Sequence, residues 1–279
     1  MLNASLASQC SFIGNRASKS SDTPRKSTTK KKSSVQKRCS RDGTVRRKAV
    51  KEEGNEYELS QPGWSAGYGT GGKIWTSSKV LLRWMIERDF VRDCDIVEFG
   101  CGLGYLGISL VRNGARKVVM TDGGTDALLK LARDNAKKKN LSESEAKVLR
   151  VDWGKALSRE VKDAVLKDFE LSVIVCADCT YETNDHEALL DTILELIRLV
   201  RSRGSSSSTP RIVLAHQHRM FASLLNGNVS TEWGVDEHYK MFLATARQKG
   251  FTSREIKTEK LSLNGLRNVT IFELLLLLD

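Results

Sequence analysis

Nothing in these 279 residues is apolar for long enough to cross a membrane. The longest run is the five leucines at 274–278, where a spanning helix needs about 18 residues, and a run that short suits a buried strand. The opening stretch MLNASLASQCSFIG has no basic n-region and a broken apolar run, so no secretory signal is expected. Disulfide pairing is not expected either. The six cysteines (Cys10, Cys39, Cys94, Cys101, Cys176 and Cys179) are irregularly spaced in a long chain, which favours reduced thiols. Cys176 and Cys179 have C-x-x-C spacing, but no second Cys or Cys/His pair answers them. They read as two small apolar side chains at a strand end rather than as a zinc or redox site. His216 and His218 lack a third ligand in the sequence, so they read as a polar rim and no metal is expected. There is no internal repeat.

What is present divides sharply by charge. Residues 1–51 hold 14 Lys or Arg against only Asp22 and Asp42, a net of +12, whereas residues 52–279 hold 31 basic and 32 acidic residues, a net of −1. Segment 1–54 is rich in Ser, Lys, Arg and Thr and has too few large apolar residues to offset its ordering entropy. It is expected to be a disordered tail ahead of one domain at 55–279. Lys30-Lys31-Lys32 and Arg46-Arg47-Lys48 suit nuclear import or salt-sensitive contact with a polyanion. The same composition is that of an organellar transit peptide, and a solvated tail without a role is equally consistent. The expected setting is cytoplasmic or nuclear, with organellar import open, and the expected state is a monomer.

From about residue 70, short apolar strands alternate with helices, the pattern of βα units on a parallel sheet. A helix is predicted over 76–87, capped by Thr76 or Ser77 and burying Val80, Leu81, Trp84 and Met85. Strands are predicted at 95–99, 117–121, 147–151, 171–177 and 211–216, with helices at 106–112, 126–139 and 187–200 between them. Segment 201–210 (RSRGSSSSTP) is a loop. A helix at 237–249 leads to a hairpin of 253–258 and 268–277, turning near Asn264-Gly265.

The central motif is Val97-Glu98-Phe99-Gly100-Cys101-Gly102-Leu103-Gly104-Tyr105-Leu106-Gly107, a strand running through glycines into a helix. Glycine is needed there because the backbone turns sharply and approaches a ligand with no side chain in the way. Gly102, Gly104 and Gly107 spell the dinucleotide fingerprint, while Glu98 with Gly100, Gly102 and Gly104 spells E-x-G-x-G-x-G. Asp122 ends the next strand, where a carboxylate can accept from both ribose hydroxyls of either NAD or S-adenosyl-L-methionine. Asp152-Trp153-Gly154 ends the third strand, offering an acceptor for an adenine amino group and a flat wall for its ring. Asp178-Cys179-Thr180-Tyr181 ends the fourth. Polar residues at successive strand ends suit a nucleoside with an amino-acid arm, and no second half-site for a dinucleotide remains in the sequence.

At these residues the chain resembles the seven-β-strand protein-lysine methyltransferases, whose members modify elongation factors, heat-shock chaperones, valosin-containing protein and calmodulin. The resemblance covers roughly residues 68–279. It rests on the Gly-x-x-x-Trp element within Thr70–Ser78, on Thr121-Asp122, Asp152-Trp153-Gly154 and Gly250-Phe251, and above all on Asp178-x-x-Tyr181. It implies an α/β, Rossmann-like seven-stranded class I methyltransferase sheet with helices on both faces and a C-terminal antiparallel hairpin. It implies S-adenosyl-L-methionine as cofactor and a protein lysine as substrate, presented by an elongation factor or a chaperone. Glu98 and Gly104 belong to the glycine loop. Trp75 should border the cofactor, Gly100, Cys101 and Gly102 should wrap its methionine arm, and Asp122 should hold the ribose. Asp152 and Trp153 should meet adenine, and Ala177 should lie near the sulfonium. Asp178 and Tyr181 should line the lysine channel and are the catalytic candidates.

Four rival functions are weighed. A nucleic-acid amino-methyltransferase would carry Asp/Asn-Pro-Pro-aromatic after the fourth strand, where this chain has Cys179 and Thr180, and it would need a basic groove that the neutral core lacks. Transfer to a small-molecule amine stays open. So does an NAD-dependent oxidoreductase that uses the other glycine register, or a scaffold that keeps the fold without the chemistry. His216, His218 and Arg219, after the fifth strand, are candidate substrate contacts.

Overall fold

The elements follow from strands whose aliphatic residues are buried on both faces and helices that bury one stripe. The computed structural model describes Leu59, Pro62 and residues 67–202, 209–219, 223–225, 228–230, 236–261 and 268–277, all within the unit Cys39–Asp279. The basic tail, the serine run of the 201–210 loop and the turn at Asn264-Gly265 lie outside the described residues. A 3-10 turn (Gly69–Gly72) precedes α1 (Thr76–Glu87), β1 (Asp95–Phe99), α2 (Tyr105–Arg112), β2 (Lys117–Asp122), α3 (Asp126–Lys138) and β3 (Ala146–Arg150). Then come α4 (Arg159–Leu166), β4 (Leu171–Ala177), α5 (His186–Arg201) and β5 (Arg211–Gln217). A small hairpin of β6 (Ser223–Leu225) and β7 (Asn228–Ser230) is followed by α6 (Glu237–Gln248), β8 (Phe251–Lys260) and β9 (Asn268–Leu276).

The main sheet runs β3-β2-β1-β4-β5-β9-β8. The first five strands are parallel, and β9 is antiparallel to both of its neighbours. This is the seven-stranded class I methyltransferase sheet with its terminal hairpin. Residues alternate between two cores as the pleat requires: Val97, Phe99, Val119, Ile174 and Leu214 join α4, α5 and α6, while Ile96, Met120, Val175 and Val213 join α1, α2 and α3. The chain leaves β1 toward β2 on one side and later takes β4 and β5 on the other, so β1 and β4 flank the topological switch point, where open α/β sheets bind ligands.

Several local expectations are revised. The N-cap of α1 is Trp75, in extended backbone and without a side-chain cap; neither Thr76 nor Ser77 fills that place. Helix α4 was not foreseen, although Ser158 caps it by accepting from the Val161 N–H. Between β5 and α6, where the sequence reading places no element, lie β6 and β7. Of the terminal leucines Leu274 is buried, but Leu275 and Leu277 are exposed, because the strand alternates even where its sequence does not.

Candidate active site

The glycine loop is held from three sides. The Cys101 N–H donates to the Thr121 carbonyl at 2.9 Å, the amide of buried Asn135 on α3 donates to the Leu103 carbonyl at 3.0 Å, and the Gly102 N–H donates to the Asp122 carboxylate at 2.8 Å. The other oxygen of Asp122 accepts from the Gly124 N–H at 2.7 Å. Asp122 therefore ties the end of β2 to the loop after β1 and keeps lone pairs for a ligand. Burial raises its pKa, while the amides of Gly102 and Gly124 and the charge of Arg150 oppose that rise. Two glycines cannot be replaced freely. Gly100 has φ +70° and a Cβ there would lie 2.5 Å from Cys179 Sγ; Gly102 has φ +52° and its Cβ would lie 2.9 Å from the Gly71 carbonyl oxygen.

The loop opens onto a cavity of about 480 Å³, within the roughly 300–1,000 Å³ of small-molecule sites. Trp75, Glu98, Gly100, Cys101, Gly102, Asp122, Asp152, Trp153, Ala177, Asp178 and Tyr181 all line it. Eleven of the twelve cofactor and catalytic candidates thus meet in one place. The twelfth, Gly104, does not line the cavity; with φ +81° it is the left-handed N-cap of α2. The sequence reading gave no role to Thr70, which links the walls. Its hydroxyl lies 3.1 Å from the Tyr181 hydroxyl and its carbonyl accepts from Trp75 Nε1 at 3.1 Å.

Two residues that line the cavity each carry a buried polar atom without a hydrogen-bond partner among the described residues, Trp153 Nε1 and Glu98 Oε2. Burial pushes Glu98 up to about 8, against the opposing Gly107 amide and with Asp122 adding to the rise. The acid is therefore largely protonated at neutral pH. A backbone cradle flanked by Asp122 and the Trp153 ring, in a cavity of this size, fits a polar nucleoside ligand.

Asp178 follows β4 in left-handed backbone, φ +60°. Its N–H donates to the Ala215 carbonyl at 2.7 Å, and a non-glycine residue so held marks a site where surrounding structure imposes the conformation. Arg219 donates to both of its carboxylate oxygens, Nη1 to Oδ1 at 3.2 Å and Nη2 to Oδ2 at 2.9 Å. The same guanidinium lies 5.3 Å from the Tyr181 ring centre and 5.7 Å from that of Trp75.

Behind this cluster is a buried chain of hydrogen bonds. Thr180 Oγ1 lies 2.6 Å from His216 Nδ1, and His216 Nε2 lies 3.0 Å from Asp236 Oδ2. Asp236 also accepts from the N–H groups of Arg219 and Tyr239, the second as the N-cap of α6. Burial works to raise its pKa, but the bonds from His216 and the two amides prevail and hold it well below the carboxylate range. The expectation of a polar rim is corrected: His216 is fully buried. The two histidines also have a third potential ligand in Asp236, with ligand atoms of all three within 4.8 Å of one another. Its separation in sequence, beyond β6 and β7, hid it. Both nitrogens of His216 are already hydrogen-bonded, and His218 Nε2 lies 2.7 Å from Thr270 Oγ1.

A doubly wound sheet closed by an antiparallel hairpin, with its glycine loop opening at the switch point, defines a class I methyltransferase fold. The chain belongs to the lysine methyltransferase family, which it matches over residues 58–223, well over half its length. It is 28% identical over 138 residues to the protein-lysine N-methyltransferase EFM3 of Chaetomium thermophilum, covering 48% of this chain and 41% of that protein. It is 35% identical over 85 residues to the ribosomal protein L11 methyltransferase of Pseudomonas fluorescens, covering 30% of this chain and 27% of that protein. The matches thus span well under two thirds of these relatives. Among solved structures, the YcgJ protein of Bacillus subtilis superposes with a TM-score of 0.49 at 11% identity, over 72% of this chain and 100% of that one.

Proposed function

We propose that this protein transfers a methyl group from S-adenosyl-L-methionine to a lysine side chain of a protein substrate. One observation carries the reading: the cavity that receives the glycine loop and Asp122 also receives Asp178, Trp75 and Tyr181. A nucleoside site and a receptor for a cationic side chain therefore share one wall. The relatives' names, protein-lysine and ribosomal-protein methyltransferases, support a protein as the acceptor.

In this reading the backbone of Gly100–Gly102 cradles the amino-acid arm of the cofactor, Asp122 accepts from the ribose, and Asp152 and Trp153 meet the adenine. When bound, the cofactor supplies an electrophilic methyl group. The protein's share is placement, and fixing two reactants in line contributes several kcal/mol to lowering a barrier. Asp178 accepts a hydrogen bond from the lysine nitrogen and directs its lone pair. Tyr181, steadied by Thr70, packs along the aliphatic stem, and Trp75, which the resemblance puts at the border of the cofactor, is assigned to the stem as well because its ring and that of Tyr181 lie near one guanidinium. The amine must be neutral to react, and partial desolvation in the channel favours loss of its proton.

The test is incubation of cell lysate with radiolabelled cofactor and either wild type or Asp178→Ala. A protein band labelled by wild type and absent with Asp178→Ala is expected, with S-adenosylhomocysteine still raising the melting temperature of the variant. Equal labelling by both would remove Asp178 from the reaction. A thermal shift with NADH and none with S-adenosylhomocysteine would replace the reading by a dinucleotide enzyme.

A further inference from the structure

We propose that Arg219 is an internal stopper: its guanidinium occupies the cage of Asp178, Trp75 and Tyr181 that receives the substrate's cationic side chain, and an incoming lysine binds by displacing it. The inference rests on the lysine-transfer reading and adds to it a built-in competitor for the acceptor site.

Three features of the contact argue for this. The pairing with Asp178 is two-pronged, at 2.9 and 3.2 Å, the geometry that matches a guanidinium to a carboxylate. The Asp178 side chain is only 2% exposed, and a carboxylate so buried needs a cation against it. Both rings attributed to the lysine stem face the same guanidinium, within the roughly 6 Å over which a cation is attracted to an aromatic face. Carboxylate and rings are the set that would hold a substrate ammonium, and here they hold a side chain of the protein itself.

The anchoring suits a side chain that leaves while its backbone stays. The Arg219 N–H donates to buried Asp236 at 2.7 Å, and Asp236 is fixed by His216 and by its place as the cap of α6. Among the described residues its guanidinium hydrogen-bonds to Asp178 and, at 3.3 Å, to the Gln217 carbonyl, and the side chain is 27% exposed. Rotation about the side-chain bonds is enough to vacate the cage. Among the described residues Lys73 is also near, 5.2 Å from the Trp75 ring centre.

A ligand that binds only the open form sees its affinity reduced by the fraction of time the cage is open. Free amines, which bring no other contacts, are then held off. A lysine carried on a protein surface draws on contacts elsewhere to displace the guanidinium, as binding energy from remote groups does generally. The stopper thus selects for lysine in a macromolecular context.

The experiment is titration calorimetry of the full chain with n-butylammonium, a lysine side chain without a backbone. Arg219→Ala should bind it at least tenfold more tightly than wild type, about 1.4 kcal/mol, and Arg219→Ala/Asp178→Asn should lose the gain. Arg219→Gln, which keeps length without charge, should behave as Arg219→Ala does and carries the comparison if the alanine variant fails to fold. Equal affinity of wild type and the charge-removed variants would overturn the stopper, as would a gain that survives Asp178→Asn. S-adenosylhomocysteine is titrated in parallel. If it binds wild type and variants alike while the butylammonium gain is missing, the stopper alone falls. If it binds none of them, the methyl-transfer reading falls, and the butylammonium comparison still judges the cage.

Discussion

At the scale of single residues, the cavity wall combines groups whose charge is set by burial rather than by type. Glu98 is the clearest case. Burial raises its pKa from the ordinary 4.5 to about 8. A carboxyl group whose folded pKa is raised contributes stability in full below its unfolded pKa and loses it as pH rises through the folded value. Wild type should therefore melt at a lower temperature at pH 9 than at pH 6. Glu98→Gln should remove much of that difference, on the order of a few kcal/mol at most. Melting curves of the two proteins across this range check it, and parallel curves would place the pH dependence on other groups. Asp178 differs in kind. The cation that faces it is Arg219, and in the proposed transfer a lysine takes that place.

At the scale of elements, the site depends on the meeting of two connections, the glycine loop after β1 and the Asp178-x-x-Tyr181 turn after β4. They pack against each other so closely that glycine is obligatory where they touch, with Cys179 Sγ lying where a Gly100 side chain would go. The loop also abuts the segment before α1 through Gly71. Gly102→Ala should therefore cost about 1–3 kcal/mol of stability through left-handed backbone strain and push the Gly71 carbonyl away. Affinity for S-adenosylhomocysteine should fall at least tenfold. Denaturant unfolding and calorimetric titration measure the two effects, and a variant unchanged in both would show that the loop tolerates a side chain. The strands before these turns were legible because Ile, Val and Leu crowd into short runs ending in Gly or Asp. Helix α4 was missed because its apolar residues, Val161 and Val165 among charged neighbours, make only a short stripe.

At the scale of the whole molecule, two cores on opposite faces of one sheet hold the switch point open. The antiparallel strand β9 matters to the site although it is remote from it in sequence. Phe272 on β9 is fully buried and packs edge-on against Tyr239, which in turn stacks on His216 with ring centres 5.2 Å apart. His216 joins Thr180 of the β4 turn to Asp236, the anchor of Arg219. Phe272→Ala should cost about 3–5 kcal/mol through the cavity it leaves. It should also loosen that chain, so that the denaturation midpoint falls sharply. A loss below about 1 kcal/mol would mean the core closes over the gap, which large-to-small changes at well-packed sites seldom allow.

The sequence alone determined the order and kind of the main elements, the glycine loop and the acids at successive strand ends. Those features are local: period, turn residues and strand-end chemistry are written within a few positions of one another. It also carried the family resemblance, for the same reason. Only the tertiary structure decided that His216 is buried rather than on a rim, that Asp236 comes to meet it, and that Arg219 closes on Asp178. Asp178 and Arg219 lie 41 positions apart, after the neighbouring strands β4 and β5, and Asp236, the cap of α6, returns to His216 across 20 positions; such pairing is set by topology and packing, on which no local pattern reports.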